Sequence, residues 1–263
     1  MVRFKTSVVY DGCCMKGIPK THPRYLSLVT RERIAEAMKE GLVHETGLIA
    51  HGRGEAFDYL LGEMTISPAD AAMKVAAMVL VHARNPVISV NGNVVALAAE
   101  ECVALAGAVP AFLEVNLFHR SSERVQKVAD ELRRYGAKEV LGESADAVIP
   151  GLAHDRALCT KKGVFSADVV VVPLEDGDRC EALRRMGKTV VAIDLNPLSR
   201  TARAASVTIV DNVVRALPRL VYWVGVIRTG KAGHVEELVG RWDNEGNLCE
   251  VMGFLSKRLN ALF

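Results

Sequence analysis

The sequence predicts an α/β protein with a Rossmann-like, doubly wound, mainly parallel six-stranded sheet and an N-terminal helical segment. Three short runs rich in β-branched residues, Val169 to Leu174, Thr189 to Ile193 and Val207 to Val210, each end in a cluster of polar residues. Helix-like segments separate the runs, which is typical of parallel strands whose carboxyl ends meet at one sheet edge. Open α/β sheets bind ligands at that edge, and the carboxylates, amides and arginines of these clusters favour a polyanionic nucleotide with a cation.

Composition and charge do not favour a nucleic-acid partner or a membrane setting. The chain has 263 residues, 50% of them apolar, and its 33 Lys and Arg against 31 Asp and Glu give a formal net charge of +2. No apolar stretch approaches the roughly 20 residues of a membrane span. The six cysteines form no CxxC pair and no zinc-ligand spacing with histidines, so we expect free thiols in a reducing, cytoplasmic setting.

The chain is expected to hold one domain after a short tail. Residues 1 to 17, with Cys13 and Cys14, differ from the remainder and lack the features of a signal peptide, so we expect a loose tail, with Met15 as an alternative start. Residues 18 to 263 are expected to form a single α/β domain. It comprises a helical preface (18–85), two halves of the sheet (86–148 and 164–228) and a C-terminal helical segment (229–263).

Three helices are expected in the preface. Apolar residues recur at roughly helical spacing over residues 24 to 40, directly after Pro23. The segment His51-Gly52-Arg53-Gly54 is interpreted as a tight turn that precedes a short helix ending at Leu61. Ser67-Pro68 then begins a third helix that runs to about Ala83.

The first half of the sheet reads as β-α-β-α-β and the second half repeats this alternation. We expect strands at Val87 to Val90, Ala111 to Leu117 and near Glu139 to Leu141, before the three β-branched runs already described. The intervening helices are expected near Val95 to Ala106, Ser122 to Tyr135, Arg179 to Met186, Ser199 to Ala204 and Val213 to Arg228. Residues 149 to 163 show no clear period and form either a mobile loop or the seam between the halves.

Two motifs look like nucleotide fingerprints but fail on their context. His51-Gly52-Arg53-Gly54 matches the first two glycines of a dinucleotide fingerprint, but Phe57 replaces the third and no long strand precedes it. Gly187-Lys188-Thr189 resembles the end of a P-loop, but Ala182 stands where the first glycine is required, and the segment leads from helix to strand. Neither motif identifies a cofactor.

Polar turns carry the candidate chemistry, and each also has a purely structural interpretation. Arg53 between two glycines suits phosphate or carboxylate, or is a solvated side chain in a tight loop. Asn91-Gly92-Asn93 suits an anion at a helix start, or is a turn with an N-cap. Glu175-Asp176-Gly177-Asp178-Arg179 suits Mg²⁺ and phosphate, or is a capped helix start. Arg31 is by itself an ordinary surface residue, and His119, His154 and His234 have no spacing that indicates ligation. The coincidence of several such turns on one sheet edge favours the functional interpretation.

Six longer motifs resemble the archaeal phosphopantothenate synthetase family, also called 4-phosphopantoate–β-alanine ligase. The resemblance covers about Ile18 to the carboxyl end and does not include the tail. The motifs are Ile18 to Arg24, Gly47 to Asp58, Val90 to Asn93, Pro173 to Arg179, Asp194 to Arg200 and Val210 to Asn212.

The resemblance implies an ATP-dependent ligase of coenzyme A biosynthesis that joins 4-phosphopantoate to β-alanine and releases AMP and diphosphate. It also implies a Rossmann-like fold, a homodimer and a cytoplasmic setting, with ATP and Mg²⁺ required and no dedicated protein metal site. The family's ATP contacts correspond here to Arg31, Arg53, Asp194, Leu195, Asn196, Arg200, Thr201, Asn212 and Val213. Electrostatic catalysis is assigned to Arg53, and the candidates for the substrate are Asn91, Gly92, Asn93, Asp176, Gly177, Asp178 and Arg179.

Three other functions use a similar fold. A nicotinamide-dependent oxidoreductase requires a complete glycine fingerprint after the first strand, which Asn91-Gly92-Asn93 does not provide. A kinase acting on pantoate or a relative would release ADP rather than AMP. A non-catalytic nucleotide-binding module would need the binding edge alone.

Overall fold

The computed structural model describes residues 18–230 and 235–261. The expectations for the tail of residues 1 to 17 and for His234 lie outside these described residues.

Six parallel strands form one sheet, as predicted. They are β1 (Pro86–Val90), β2 (Phe112–Val115), β3 (Val140–Leu141), β6 (Val169–Pro173), β7 (Thr189–Ile193) and β8 (Val207–Ile209). Their spatial order is β3-β2-β1-β6-β7-β8, and each pair of neighbours is parallel. The chain moves outward from β1 in its first half and outward from β6 in the opposite direction in its second half, which is the doubly wound arrangement.

The connection between the halves contains regular structure that the sequence analysis did not predict. Strands β4 (Ala147–Val148) and β5 (Leu158–Cys159) form a separate antiparallel pair. A 3₁₀ turn at Asp155–Ala157 and a π-helical turn at Lys161–Phe165 lie beside them. Elements of two to five residues are too short to give a periodic pattern, which explains why this segment read as irregular.

Ten helices occur in the part of the chain that the structure describes. They are α1 (Tyr25–Lys39), α2 (Glu45–Leu61), α3 (Ser67–His82), α4 (Gly92–Ala108), α5 (Ser122–Arg134), α6 (Gly177–Arg185), α7 (Arg200–Ala204), α8 (Val213–Arg228), α9 (Val235–Gly240) and α10 (Asn244–Asn260). In the described residues no helix is both long and apolar enough to cross a membrane.

The two faces of the sheet bury different cores. Val171 on β6 and Val191 on β7 join the larger cluster, together with buried residues of α3, α4 and α8. Their neighbours Val170 and Val190 point to the opposite face and join the smaller cluster, which also contains Leu183 of α6. This alternation is the period-two pattern of a strand buried on both sides, so these strands read as continuous apolar runs.

The predicted turn at His51 to Gly54 is wrong, because these residues lie inside the continuous helix α2. His44 caps the start of α2, where its side chain accepts a hydrogen bond from the Thr46 N–H, and Gly62 ends the helix with φ 86°. A glycine inside a helix is about 0.5–1 kcal/mol less favourable than alanine. The packing of α2 against the remainder of the protein, through buried Asp58 and Leu61, overrides that preference.

Candidate functional site

A cavity of about 380 Å³ opens at the carboxyl edge of the sheet, where the strand order reverses between β1 and β6. Its walls come from α2, from the turns that follow β1, β2, β6 and β7, and from the start of α8. A doubly wound sheet leaves a crevice at this point, because the connections on its two sides run in opposite directions. Seven of the predicted site residues line it: Asn91, Gly92, Asn93, Asp176, Leu195, Asn212 and Val213.

Helix α2 runs across the carboxyl edge and closes one side of the cavity. Near its start, Asn93 Nδ2 donates a hydrogen bond to the Gly47 carbonyl oxygen at 2.8 Å. Near its end, Asn212 Nδ2 donates to Asp58 Oδ2 at 2.9 Å. A Cβ on Gly47 would lie 2.3 Å from Asn93 Oδ1, so any other residue at this position would displace the Asn93 side chain. One helix of the preface therefore joins both ends of the site.

The turn after β1 combines the two interpretations offered by the sequence. Asn91 caps α4 by accepting a hydrogen bond from the Val94 N–H at 3.1 Å, and its Nδ2 donates to the Leu174 carbonyl oxygen at 3.0 Å. The Asn91 side chain thus fixes the turn after β1 against the turn after β6. Gly92 and Asn93 present the N-terminal end of α4, the positive end of its dipole, to the cavity.

Asp194 ends β7 and organises the loop that follows. Its Oδ1 accepts a hydrogen bond from the Asn196 N–H at 2.9 Å, and its Oδ2 accepts one from the Ser199 hydroxyl. Burial raises the pKa of Asp194 above its usual range, against the effect of these two bonds and of the positive charge of Arg53. Leu195 is buried and lines the cavity beside this carboxylate.

The turn after β8 is held by a charged network. Asn212 caps the start of α8, and both Asn212 and Val213 line the cavity. Arg215 Nη2 lies 2.5 Å from Asp58 Oδ1 and 2.6 Å from Asp211 Oδ1. The carboxylate that accepts from Asn212 is therefore itself fixed by a guanidinium group, which leaves Asn212 a single favoured orientation.

Arg31 and Arg53 do not line the cavity, although each has a partner at or beside it. Arg31 Nε lies 2.9 Å from each carboxylate oxygen of Glu55, and Glu55 lines the cavity. The hydrogen bond to Glu55 is the largest contribution to the raised pKa of Arg31. Arg53 is exposed on α2, and its charge reaches Asp194.

Behind the wall of the cavity, α6 and α7 pack closely against each other. Thr201 is buried and its Oγ1 donates to the Glu175 carbonyl oxygen at 2.8 Å. Arg200 is exposed and its Nη2 lies 2.9 Å from Glu181 Oε2. A Cβ on Gly177 would lie 2.4 Å from Arg200 Cβ, so this glycine serves helix packing. Arg200, Thr201 and Gly177 support the site from outside its lining.

A buried ion cluster lies under the floor of the cavity. The Glu175 carboxylate sits between the guanidinium groups of Arg156 and Arg179. Arg179 is fully buried, its Nη1 donates to Ser89 Oγ at 3.1 Å, and it does not line the cavity. Burial lowers the pKa of both arginines to about 10. Asp176 does line the cavity, with Oδ2 3.0 Å from Arg156 Nε.

Asp178 points away from this cluster. Its Oδ2 lies 2.7 Å from His154 Nε2, and it does not line the cavity. His154 also lies near the exposed Phe118, with ring centroids 5.4 Å apart. This contact joins the connection between the halves of the sheet to the first turn of α6 beside the site.

The sequence analysis did not select the residues at the β2 end of the cavity. His44 and His119 stack with their ring centroids 3.8 Å apart, and Arg124 lines the cavity beside them. These residues come from the cap of α2, the loop after β2 and the first turn of α5. They share no local spacing, so the fold alone brings them together. Arg156 was missed for the same reason, since it lies in the connection without a period.

Within residues 18–230 and 235–261, no group of three or more His, Cys, Asp or Glu side chains is arranged to hold a metal ion. The carboxylates that line the cavity are those of Glu55 and Asp176. The described cysteines are free thiols, as expected, and burial raises the pKa of Cys159 to about 11 and of Cys180 to about 12. Neither of these thiols is a thiolate nucleophile near neutral pH.

Comparison with known proteins identifies similar sequences over most of the chain. Residues 68–258 match the model of a family described as phosphopantothenate/pantothenate synthetase. A protein of Thermococcus kodakarensis named 4-phosphopantoate–β-alanine ligase is 53% identical over 249 residues, which are 94% of this chain and 95% of that protein. A protein of the same name from Methanosarcina mazei is 48% identical over 94% of this chain and 98% of that protein. Another from Methanospirillum hungatei is 56% identical over 77% of this chain and 83% of that protein.

Proposed function

The chain belongs to the phosphopantothenate/pantothenate synthetase family, and from that premise we propose that it joins 4-phosphopantoate to β-alanine with consumption of ATP. It is a ligase of phosphopantothenate synthesis in coenzyme A biosynthesis. The observation that carries the proposed reaction is the cavity at the switch point, where the turns after β1, β6, β7 and β8 come together. ATP, phosphopantoate and β-alanine must meet in one place, and this cavity offers it.

The nucleotide is assigned to the β7–β8 end of the cavity. Leu195, Asn212 and Val213 supply its lining there, and the Asp194 carboxylate ends the adjacent strand. Arg53, whose charge acts on Asp194, and Arg31, which is paired with the lining residue Glu55, would neutralise the triphosphate. Arg200 and Thr201 support this end from behind.

The proposed course has two displacements. The carboxylate of phosphopantoate attacks the α-phosphorus of ATP and displaces diphosphate, which gives an acyl adenylate. The amine of β-alanine then attacks the acyl carbon, loses a proton and displaces AMP. In this course the protein acts by positioning and charge neutralisation, and no covalent intermediate with the protein is required.

Mg²⁺ fits this site as a partner of the nucleotide. Asp176 lines the cavity with a side chain that is 44% exposed, and it would hold a Mg²⁺ ion that binds with the nucleotide. The ion supplies neutralisation of the phosphates.

Product analysis tests the proposed function directly. With ATP, phosphopantoate and β-alanine, the protein should release AMP and diphosphate in equal amounts with phosphopantothenate. In the absence of β-alanine, labelled diphosphate should exchange into ATP when phosphopantoate is present. ADP as the product would instead indicate a kinase, and tight NAD binding with no ATP binding would indicate an oxidoreductase. Binding of ATP without formation of any product would indicate a non-catalytic nucleotide-binding module.

The same family membership leads us to propose a cytoplasmic homodimer. Light scattering on the purified protein measures the mass of the assembly, and a mass near that of one 28.5 kDa chain would refute the homodimer.

A further inference from the structure

The cavity has a second end, opposite the one that we assign to the nucleotide. Leu195, Asn212 and Val213 lie at the β7–β8 end, whereas His44, His119 and Arg124 lie beyond the turn after β1, toward β2. On the proposed function, the acid substrate must enter between these two ends, with its carboxylate toward the nucleotide. Its phosphate then falls at the β2 end.

We propose that Arg124, His44 and His119, with the first turn of α4, bind the terminal phosphate monoester of the acid substrate. This inference rests on the proposed function and adds to it the subsite that sets substrate specificity.

The charge at the β2 end suits a dianion. The cavity-lining groups there are a guanidinium and two imidazoles, and the N-terminal end of α4 faces the same space at Gly92 and Asn93. The two carboxylates that line the cavity are paired elsewhere, Glu55 with Arg31 and Asp176 with Arg156. No lining carboxylate therefore opposes an anion at the β2 end.

Arg124 is held in place before any ligand arrives. Its Nη2 donates to the Leu42 carbonyl oxygen at 3.2 Å, and its Nη1 donates to the His119 carbonyl oxygen. Its Nε is buried and has no hydrogen-bond partner among the described residues. A guanidinium that lines the cavity and is fixed by two carbonyl groups is preorganised to bind an anion with its remaining Nη donors.

The stacked imidazoles of His44 and His119 should strengthen phosphate binding when His44 takes up a proton. Burial, His119 and Arg124 lower the pKa of His44, and Glu45 raises it by less, so His44 is neutral near pH 7 in the free protein. A phosphate dianion beside His44 would raise that pKa again. Binding of the phosphorylated substrate should therefore take up protons from the buffer, whereas binding of its unphosphorylated analogue should not.

The main test is substrate discrimination by Arg124→Ala, with kcat and KM measured separately for phosphopantoate, pantoate and ATP. For phosphopantoate we expect kcat/KM to fall about 10- to 100-fold, as for the loss of a charged hydrogen-bonding partner. The kcat/KM for pantoate and the KM for ATP should change little, so most of the preference for the phosphorylated substrate is lost. Lys127→Ala is the matched control, because Lys127 lies on the same helix and likewise donates to a preceding carbonyl, that of Glu40. It should retain the wild-type preference.

His44→Gln and His119→Gln provide independent variants if Arg124→Ala is poorly folded. Calorimetry of phosphopantoate binding in two buffers of different ionisation enthalpy should show proton uptake near pH 7 for the wild type and less for His44→Gln. Unchanged discrimination in all three variants, or a rise confined to the KM for ATP, would overturn this subsite. If the wild type itself releases ADP or is indifferent to the phosphate, the proposed function fails instead, so the two failures are distinguishable.

Discussion

Arg53 shows how a residue's environment decides its role. It was selected from the sequence because two glycines surround it, yet it lies on the exposed side of a continuous helix. Its position near Asp194 comes from the course of α2 over the sheet edge. Asn91 shows the reverse case, since the sequence correctly placed it at a strand-to-helix turn but could not reveal that its amide joins β1 to β6.

We expect Arg53→Ala to remove most ligase activity while leaving the thermal transition of the ligand-free protein nearly unchanged. The side chain is exposed, so its loss creates no cavity, whereas the charge it brings to the phosphates disappears. Steady-state kinetics and thermal unfolding measure the two effects. Arg134→Ala is the control, because Arg134 is an exposed helical arginine at the end of α5 whose ion pair with Glu131 should contribute little. A large fall in unfolding temperature with normal activity would assign Arg53 a structural role.

Among the elements, α2 is the one that the sequence described least well. Strands β6 and β7 were predicted closely because burial on both faces leaves a continuous β-branched run. By contrast, α2 contains three glycines, and its residues face a polar cavity as well as the core, so neither composition nor period identifies it as one helix. The tertiary contacts of Gly47 and Asp58 stabilise α2, and their partners, Asn93 and Asn212, lie far from α2 in the sequence.

Two glycines of α2 provide a matched test of its position. Gly47→Ala places a Cβ 2.3 Å from Asn93 Oδ1 and 2.8 Å from Val43 Cγ1, so both side chains must shift and the hydrogen bond from Asn93 to the Gly47 carbonyl oxygen is disturbed. We expect lower stability by about 1–3 kcal/mol and a raised KM for phosphopantoate. In Gly52→Ala the new Cβ meets nothing within 4 Å, and we expect a gain of about 0.4–1 kcal/mol with activity retained. Urea unfolding measures the stability of both variants, and steady-state kinetics measures their KM. Equal changes in Gly47→Ala and Gly52→Ala would contradict the close approach at Gly47.

Asp70 ties helix α3 to helix α8 and makes their packing depend on pH. Burial acts to raise its pKa, but hydrogen bonds from Arg219, Trp223 and Lys74 outweigh it and hold the pKa below the usual value. Trp223 Nε1 donates to Asp70 Oδ1 at 2.8 Å. A lowered pKa in the folded state means that the stabilisation is present above the unfolded pKa of about 3.9 and is lost as the pH falls through the folded value.

We therefore expect Asp70→Asn to reduce the free energy of unfolding by about 1–3 kcal/mol at pH 7, with a smaller difference from the wild type below about pH 4. Urea titrations at pH 7 and at pH 3.5 give both values. Asp130→Asn, in an exposed pair with Arg133, should change stability by less than about 0.5 kcal/mol at either pH. A deficit for Asp70→Asn that is equal at both pH values would show that its charge is not the stabilising feature.

For the whole molecule, the order of the strands decides which turns meet. The sequence was sufficient to predict six strands, their parallel direction and the edge that carries the polar residues. It could not give the β2 end of the cavity, because His44, His119 and Arg124 are brought together by α2, β2 and α5 rather than by any motif. Nor could it separate Asp176, which lines the cavity, from Arg179 only three positions later, which is buried beneath it. Such differences depend on burial, which a single sequence does not determine at a turn.

The two ends of the cavity should respond to different ligands, and hydrogen–deuterium exchange can observe this across the whole molecule. ATP with Mg²⁺ should slow exchange in the turn after β7 and also in the last turns of α2, because Asn212, Asp58 and Arg215 connect the nucleotide end to that helix. Helix α5 should remain unchanged with ATP alone and become protected when phosphopantoate is added, since Arg124 lies on it. A ligand at 100 times its dissociation constant should add about 2.7 kcal/mol to global stability, which slows exchange by global unfolding everywhere. The comparison therefore uses conditions in which amide hydrogens exchange by local opening. Protection of α5 by ATP alone would place the triphosphate at the β2 end and reverse the proposed orientation of the substrates.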